Sequence, residues 1–291
     1  MTWMGESGME LVDSHAHLDF PEFDPDREAM LDRARQAGVA GIVSIGSASG
    51  TDALDAALPL AEANDWIWAT IGIHPHQAQD AQESHFERLE ELARRPKVIA
   101  WGEIGLDYHY DRPPRDVQKS VFRRQLSLAR QARLPVILHC REAWADALDI
   151  IETEWKPTGL GGIFHCFTAS LAEARRGLDM GFLISFAGNL TYPKSTALRD
   201  VARELPAESL LIETDSPFLP PQARRGKRNE PALVGEVAKT LASVRNLYTE
   251  EIARTTTANF RRFFRLEAPV KPWPSTEDRS SLSRPQKKSS N

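Results

Sequence analysis

Between residues 9 and 267 short apolar runs alternate with longer segments whose apolar positions recur every three or four residues. The short runs predict strands at 11–17, 40–45, 66–73, 97–103, 135–140, 160–165, 182–186 and 209–214. The longer segments predict helices at 26–37, 51–63, 83–94, 116–132, 142–153, 170–179 and 195–204, with more helix at 231–246 and 249–264. Eight strands, each followed by helix, predict an α/β fold: a closed (β/α)8 TIM barrel forming a single domain over 9–267. An open doubly wound sheet is the alternative, but no glycine-rich GxGxxG turn supports it.

The flanks break the pattern. Residues 1–8 read as a flexible extension, with Met9 directly before the first strand. Residues 268–291 are rich in Pro, Ser and charge and nearly empty of aliphatics, so they are expected to stay disordered. This tail carries Lys271, Arg279, Arg284, Lys287 and Lys288 against Glu277 and Asp278. It contributes +3 to a formal net charge of −5, leaving −8 on the rest of the chain. That balance argues against coating nucleic acid through a diffuse positive surface and leaves room for a local anion site.

The chain begins without a basic start or apolar run, and no stretch is apolar enough to span a membrane. With only Cys140 and Cys166 there is no disulfide framework, so a cytoplasmic location with reduced thiols is expected. No protein partner is evident, and a monomer is expected.

Polar residues gather at the predicted strand ends. His15 and His17 end the first strand, and a period of two turns both imidazoles to one face. Glu103, His139, His165 and Asp215 end strands four, five, six and eight. In a barrel these positions converge on the mouth where active sites are built. Six such ligands exceed what one zinc ion takes and suffice for two divalent ions sharing a carboxylate. The first ion would take His15, His17, Glu103 and Asp215; the second would take His139, His165 and the other oxygen of Glu103. Zn, Mn, Mg, Ni or Fe would each be admissible. Cys140 and Cys166 follow proposed ligands directly, so the same period turns them toward the helix layer as small buried hydrophobes.

The chain resembles the TatD family of metal-dependent deoxyribonucleases, in the amidohydrolase-like barrel group. The resemblance rests on Asp13-Ser14-His15-Ala16-His17-Leu18-Asp19, Gly72-Ile73-His74-Pro75-His76, Gly102-Glu103-Ile104-Gly105-Leu106-Asp107-Tyr108 and Leu134–His139. It continues through His165-Cys166-Phe167, Glu213-Thr214-Asp215-Ser216-Pro217-Phe218-Leu219, Arg225–Pro231 and Asn259-Phe260. It implies a (β/α)8 barrel with two divalent ions that hydrolyses DNA phosphodiesters, as a 3′-to-5′ exonuclease on single strands, with RNA a further substrate in some members. The ligands it implies are His15, His17, Glu103, His139, His165 and Asp215.

The expected mechanism is attack by metal-activated water, with Glu103 bridging the ions and Asp215 doubling as general base. Arg141 shares the parity of His139 and is expected at the mouth, for a phosphate or a surface ion pair. His74 and His76 are expected to hydrogen-bond the phosphate, and Pro75 between them leaves open which faces in. Arg225, in the basic loop Arg224–Arg228, is expected on the substrate backbone. Phe167 shares the parity of His165 and is a candidate for base stacking, whereas Trp66, Trp68 and Trp101 read as core. Competing readings are a metallohydrolase of small phosphoesters, lactones or amides on the same scaffold, and a binding protein with no need of the ligand set.

Overall fold

The computed structural model describes residues 9–47, 50–110 and 112–266. The predicted extension 1–8 and tail 268–291 lie outside these residues. The β-branched and aliphatic runs form β1 (Leu11–Ala16), β2 (Val39–Ser44), β3 (Ile67–Ile71), β4 (Val98–Asp107), β5 (Val136–Arg141), β6 (Gly162–Phe164), β7 (Phe182–Phe186) and β8 (Leu210–Ile212). All pair in parallel, in chain order. β1 and β8 meet just past the end of β8, where Asp215 N donates to His15 O at 2.9 Å and His17 N to Ser216 O at 2.8 Å. The ring therefore closes at the end that carries the candidate ligands.

The amphipathic segments form α1 (Arg27–Gln36), α2 (Leu58–Ala63), α3 (Glu83–Leu92), α4 (Arg115–Ala132), α5 (Trp144–Ile150), α6 (Leu171–Leu178), α7 (Thr196–Glu204), α8 (Val234–Arg245) and α9 (Thr249–Phe264). Val12, Val43, Ala100, Ile137, Ile163 and Leu211 form one buried cluster, to which α9 contributes Phe260. A larger cluster fills the layer between strands and helices, including Ile42, Trp101 and Phe164 with Met30, Leu126 and Val237. None of the described helices is long and apolar enough to cross a membrane.

Boundaries differ from the sequence reading where backbone chemistry intervenes. The helix expected at 51–63 splits into a 3-10 turn at Thr51–Ala53 and α2, which has Pro59 in its first turn. β6 starts late because Gly159 and Gly161 both adopt φ of 67°, outside strand geometry. α5 starts after Glu142, whose φ is 54°, and runs on into a π-helical turn at Ile151–Trp155. β4 does not stop at Glu103 but continues to Asp107. At Gly105, with φ of 143°, a Cβ would lie 2.0 Å from His139 O, so only glycine lets β4 pass β5 there.

Two glutamines on α4 hold this long strand. Gln125 Oε1 accepts from Ile73 N at 2.7 Å and Trp101 Nε1 at 3.2 Å, while its Nε2 donates to Ile73 O at 2.9 Å. Gln118 Oε1 accepts from Asp107 N at 2.8 Å, and its Nε2 donates to Asp107 O at 3.0 Å. Gln125 is buried, so Gln125→Leu leaves three buried backbone and indole groups without partners. A loss of about 2–4 kcal/mol in urea unfolding is expected; a loss below about 0.5 kcal/mol would show that the amide does not hold the strand.

Candidate functional site

Six of the chain's eight histidines meet at the mouth: His15, His17, His74, His76, His139 and His165. In β1 the Ser14 and Ser185 hydroxyls share a 2.9 Å hydrogen bond across the barrel to β7, so Ser14 points inward. Strict alternation would turn His15 outward, yet the β1–β2 register shifts between Asp13 and Ala16. This irregularity swings His15 and His17 into the mouth together, with their Nε2 atoms 3.3 Å apart. Their shared face follows from the period; its direction follows from the bulge.

These two nitrogens also face carboxylates. His15 Nε2 lies 3.4 Å from Glu103 Oε2 and 3.6 Å from Asp215 Oδ1; His17 Nε2 lies 3.8 Å and 3.2 Å from the same atoms. A tetrahedral ion with ligand bonds of about 2.0–2.2 Å holds its donors ~3.4 Å apart. The five separations given among these four atoms fit that spacing, and their chemistry is that of a divalent-ion site. Asp215 reaches it from a left-handed backbone, φ 55°. That turn is held by Asn229, whose Nδ2 donates to Thr214 O at 2.8 Å and Phe218 O at 2.7 Å.

The other oxygen of Glu103 serves a second set. Oε1 lies 2.6 Å from His139 Nδ1 and 2.7 Å from His165 Nε2, and these nitrogens are 3.4 Å apart. The rings of His165 and His15 stack at 3.9 Å, joining the sets. Burial disfavours the charged Glu103, but the surrounding imidazoles, His165 foremost, hold its carboxyl well below the usual range.

His74 Nε2 also approaches this set, 3.5 Å from Glu103 Oε1 and 3.4 Å from His139 Nδ1. Its Nδ1 accepts from His76 N at 3.2 Å, and burial pushes its pKa down to about 4. A neutral ring whose Nδ1 accepts carries its proton on Nε2. His74 is therefore a hydrogen-bond donor aimed at the cluster, and it is the inner member of the pair flanking Pro75. His76 is more exposed, with Nε2 2.9 Å from Asp107 Oδ2.

Two carboxylates that the sequence reading left without a role back the imidazoles. Asp107 Oδ2 lies 3.0 Å from His139 Nε2, and Glu213 Oε1 lies 3.2 Å from His165 Nδ1. Each fixes the proton on the ring nitrogen turned away from Glu103, leaving the other as a lone-pair donor. Burial opposes ionisation of Asp107, yet hydrogen bonds from His139 and His76 keep its carboxyl well below the ordinary range. Asp13, which ties β1 to Thr214 N at 2.9 Å, is pushed up to about 8 by burial. Asp107 shares the parity of Glu103 and Glu213 that of Asp215; for Asp107 that signal was hidden by expecting β4 to end early.

A cleft of ≈ 600 Å³ opens over the cluster. Arg141 lines it, with its guanidinium 5.1 Å from the Tyr110 ring centre and no carboxylate pairing with it among the described residues. Arg225 is not part of the lining; it rests on Tyr192 at 4.5 Å. In the same loop Arg228 is committed to Asp26 at 2.7 Å. Phe167 does not face the mouth but is fully buried, 4.9 Å from Trp144. The chain turns at Cys166, φ 43°, after β6 has ended, so strand parity no longer applies. For the same reason Cys166 lines the cleft instead of the helix layer, where Asn189 Nδ2 donates to its Sγ at 3.7 Å. Cys140 is buried in the main core cluster and also borders the cleft. Burial raises both thiols well above their ordinary range, which disfavours thiolate ligation.

The family model described as TatD related DNase matches residues 12–265. A Bacillus subtilis protein named an uncharacterized metal-dependent hydrolase, YabD, is 43% identical over 256 residues, covering 88% of this chain and 99% of its own. A Pantoea ananatis protein named 3′-5′ ssDNA/RNA exonuclease TatD is 36% identical over 264 residues, covering 88% and 100%. The crystal structure of the TatD homologue YjjV from Escherichia coli K12 superposes with a TM-score of 0.83 at 34% identity, covering 88% and 98%. Match, identity and barrel agree: the chain belongs to the TatD-related DNase family of metal-dependent hydrolases.

Proposed function

We propose that this chain hydrolyses phosphodiester bonds of nucleic acid, DNA foremost, and acts as a 3′-to-5′ exonuclease on single strands. One observation carries the reading: the two oxygens of Glu103 face two separate donor sets, Oε2 toward His15 and His17 and Oε1 toward His139 and His165. We assign His15, His17, Glu103 and Asp215 to one divalent ion and Glu103, His139 and His165 to a second. Imidazole-rich donors suit Zn, Mn, Fe or Ni better than Mg. The chemistry such ions supply when bound is Lewis acidity toward water and phosphoryl oxygen.

The protein's own groups do the rest. Asp215 is held ionised: burial disfavours its charge, but the hydrogen bond from His17 and nearby imidazoles keep its carboxyl below the usual range. An ionised carboxylate at the first ion can accept the proton of the attacking water, a general-base role. Glu103 keeps the two sets in register. His74 offers Nε2–H to a phosphoryl oxygen, and His76, held through Nε2 by Asp107, lines the cleft beside it. Arg141, without a competing carboxylate, pairs a phosphate at the cleft. Arg225 lines no part of the cleft, so its phosphate lies farther along the strand. The name of the Pantoea ananatis relative, an exonuclease of single-stranded DNA and RNA, supports the substrate class.

Purified protein stripped with a chelator should not cleave 5′- or 3′-labelled single-stranded DNA, and adding back Mn or Zn should restore cleavage from the 3′ end. Turnover of a small phosphoester or a lactone without any oligonucleotide cleavage would overturn the reading. Glu103→Ala should abolish hydrolysis with an unchanged circular-dichroism spectrum; full activity in that variant would remove Glu103 from the reaction. Asp107→Asn keeps the shape but loses the carboxylate behind His139. It should lower metal affinity or kcat/KM ~10- to 100-fold, and an unaltered value would show that Asp107 does not orient the ring.

A further inference from the structure

Among the described residues, an apolar ring stands partly exposed in the open cleft. Phe218 lines the cleft and is 43% exposed. Its ring lies 5.8 Å from that of His17 and 5.4 Å, edge-on, from that of Phe20. Phe20 in turn lies 5.3 Å from His17. An exposed phenylalanine forgoes the burial that would stabilise it, and this one is no loose end. Phe218 N donates to Asp215 O at 2.9 Å, and Phe218 O accepts from Asn229 Nδ2 at 2.7 Å. Asn229 is fully buried. The fold thus fixes a bare ring three residues from a candidate metal ligand.

A phenyl ring has no donor or acceptor for a phosphate or a sugar hydroxyl. What it offers is a face for another flat apolar group, and a strand bound by its phosphate presents one such group per nucleotide. A paired duplex end keeps its bases stacked on each other; an unpaired end can release one. Tyr110, 57% exposed under the Arg141 guanidinium, gives the same cleft a second aromatic beside a cation.

We propose that Phe218, buttressed by Phe20, is the platform on which the nucleobase beside the scissile phosphate stacks, and that this contact selects unpaired strand ends. The inference rests on the nucleic-acid reading above and adds the residue that recognises the base. Its test uses Phe218→Ala and Phe218→Trp in the full chain. Single strands with hydrolysis-resistant phosphorothioate linkages would carry 2-aminopurine at one of the last two nucleotides of either end. Wild type and Phe218→Trp should quench the fluorophore at one of these positions, and Phe218→Ala should not. With cleavable DNA, Phe218→Ala should raise KM roughly 10-fold while kcat holds. A strand whose last two nucleotides at each end lack bases should show the same KM with both proteins. Equal quenching, or equal KM for base-bearing strands, would overturn the platform and leave the nuclease reading intact. If the wild type cleaved no oligonucleotide at all, the parent reading would fall and this inference with it.

Discussion

The buried carboxylate of Glu103 is the constraint around which the mouth of the barrel is arranged. It is 2% exposed and ionised, and an uncompensated charge at that depth would be prohibitive. Compensation comes from both sides, because each oxygen meets its own pair of imidazoles. Glu103 sits where the apolar pattern suggests that the strand ends, and β4 runs on past it to bring Asp107 behind His139. Gly105 lets it pass β5 without a clash, while Gln118 and Gln125 on α4 hold its backbone and that of the neighbouring loop. Helix, strand and site are thus one assembly: amides in the helix layer hold the strand that carries the shared carboxylate.

Around that centre lies a ring of further acids. Asp107 and Glu213 orient His139 and His165, and Asp215 faces His15 and His17. Glu103, Asp107 and Asp215 line the cleft with carboxyls held below their usual range, which suits cations, and a phosphate entering without cations would meet these carboxylates. Cations bound there would reverse the sign that a phosphate meets. The overall charge of −5 therefore says little about the substrate; the local balance at the mouth decides it.

Much of this was legible in the chain. Apolar runs and helical spacing indicated eight β/α units, and polar residues at strand ends picked out all six proposed ligands. The faces of Phe167 and Cys166 were misread because strand parity was extended beyond the strand. Phe167 and Cys166 follow β6 after the chain has turned at positive φ, so their faces could not be counted from His165. His15 and His17 enter the mouth through a register shift that no period encodes. The role of His74 depends on its tautomer, set by a backbone N–H two residues on. Phe218 was quoted within a motif, yet only its exposure and its anchoring by Asn229, eleven residues later, set it apart.

The most direct test of the shared-carboxylate centre is the number of ions it holds. Chelated protein refilled with Zn or Mn and weighed intact by native mass spectrometry should carry two ions per chain. Glu103→Gln, nearly equal in size but uncharged, should lose the paired occupancy at the same free metal concentration. A wild-type protein that saturates at one ion, or a Glu103→Gln variant that still binds two with undiminished affinity, would contradict the proposal that a single carboxylate organises both sites.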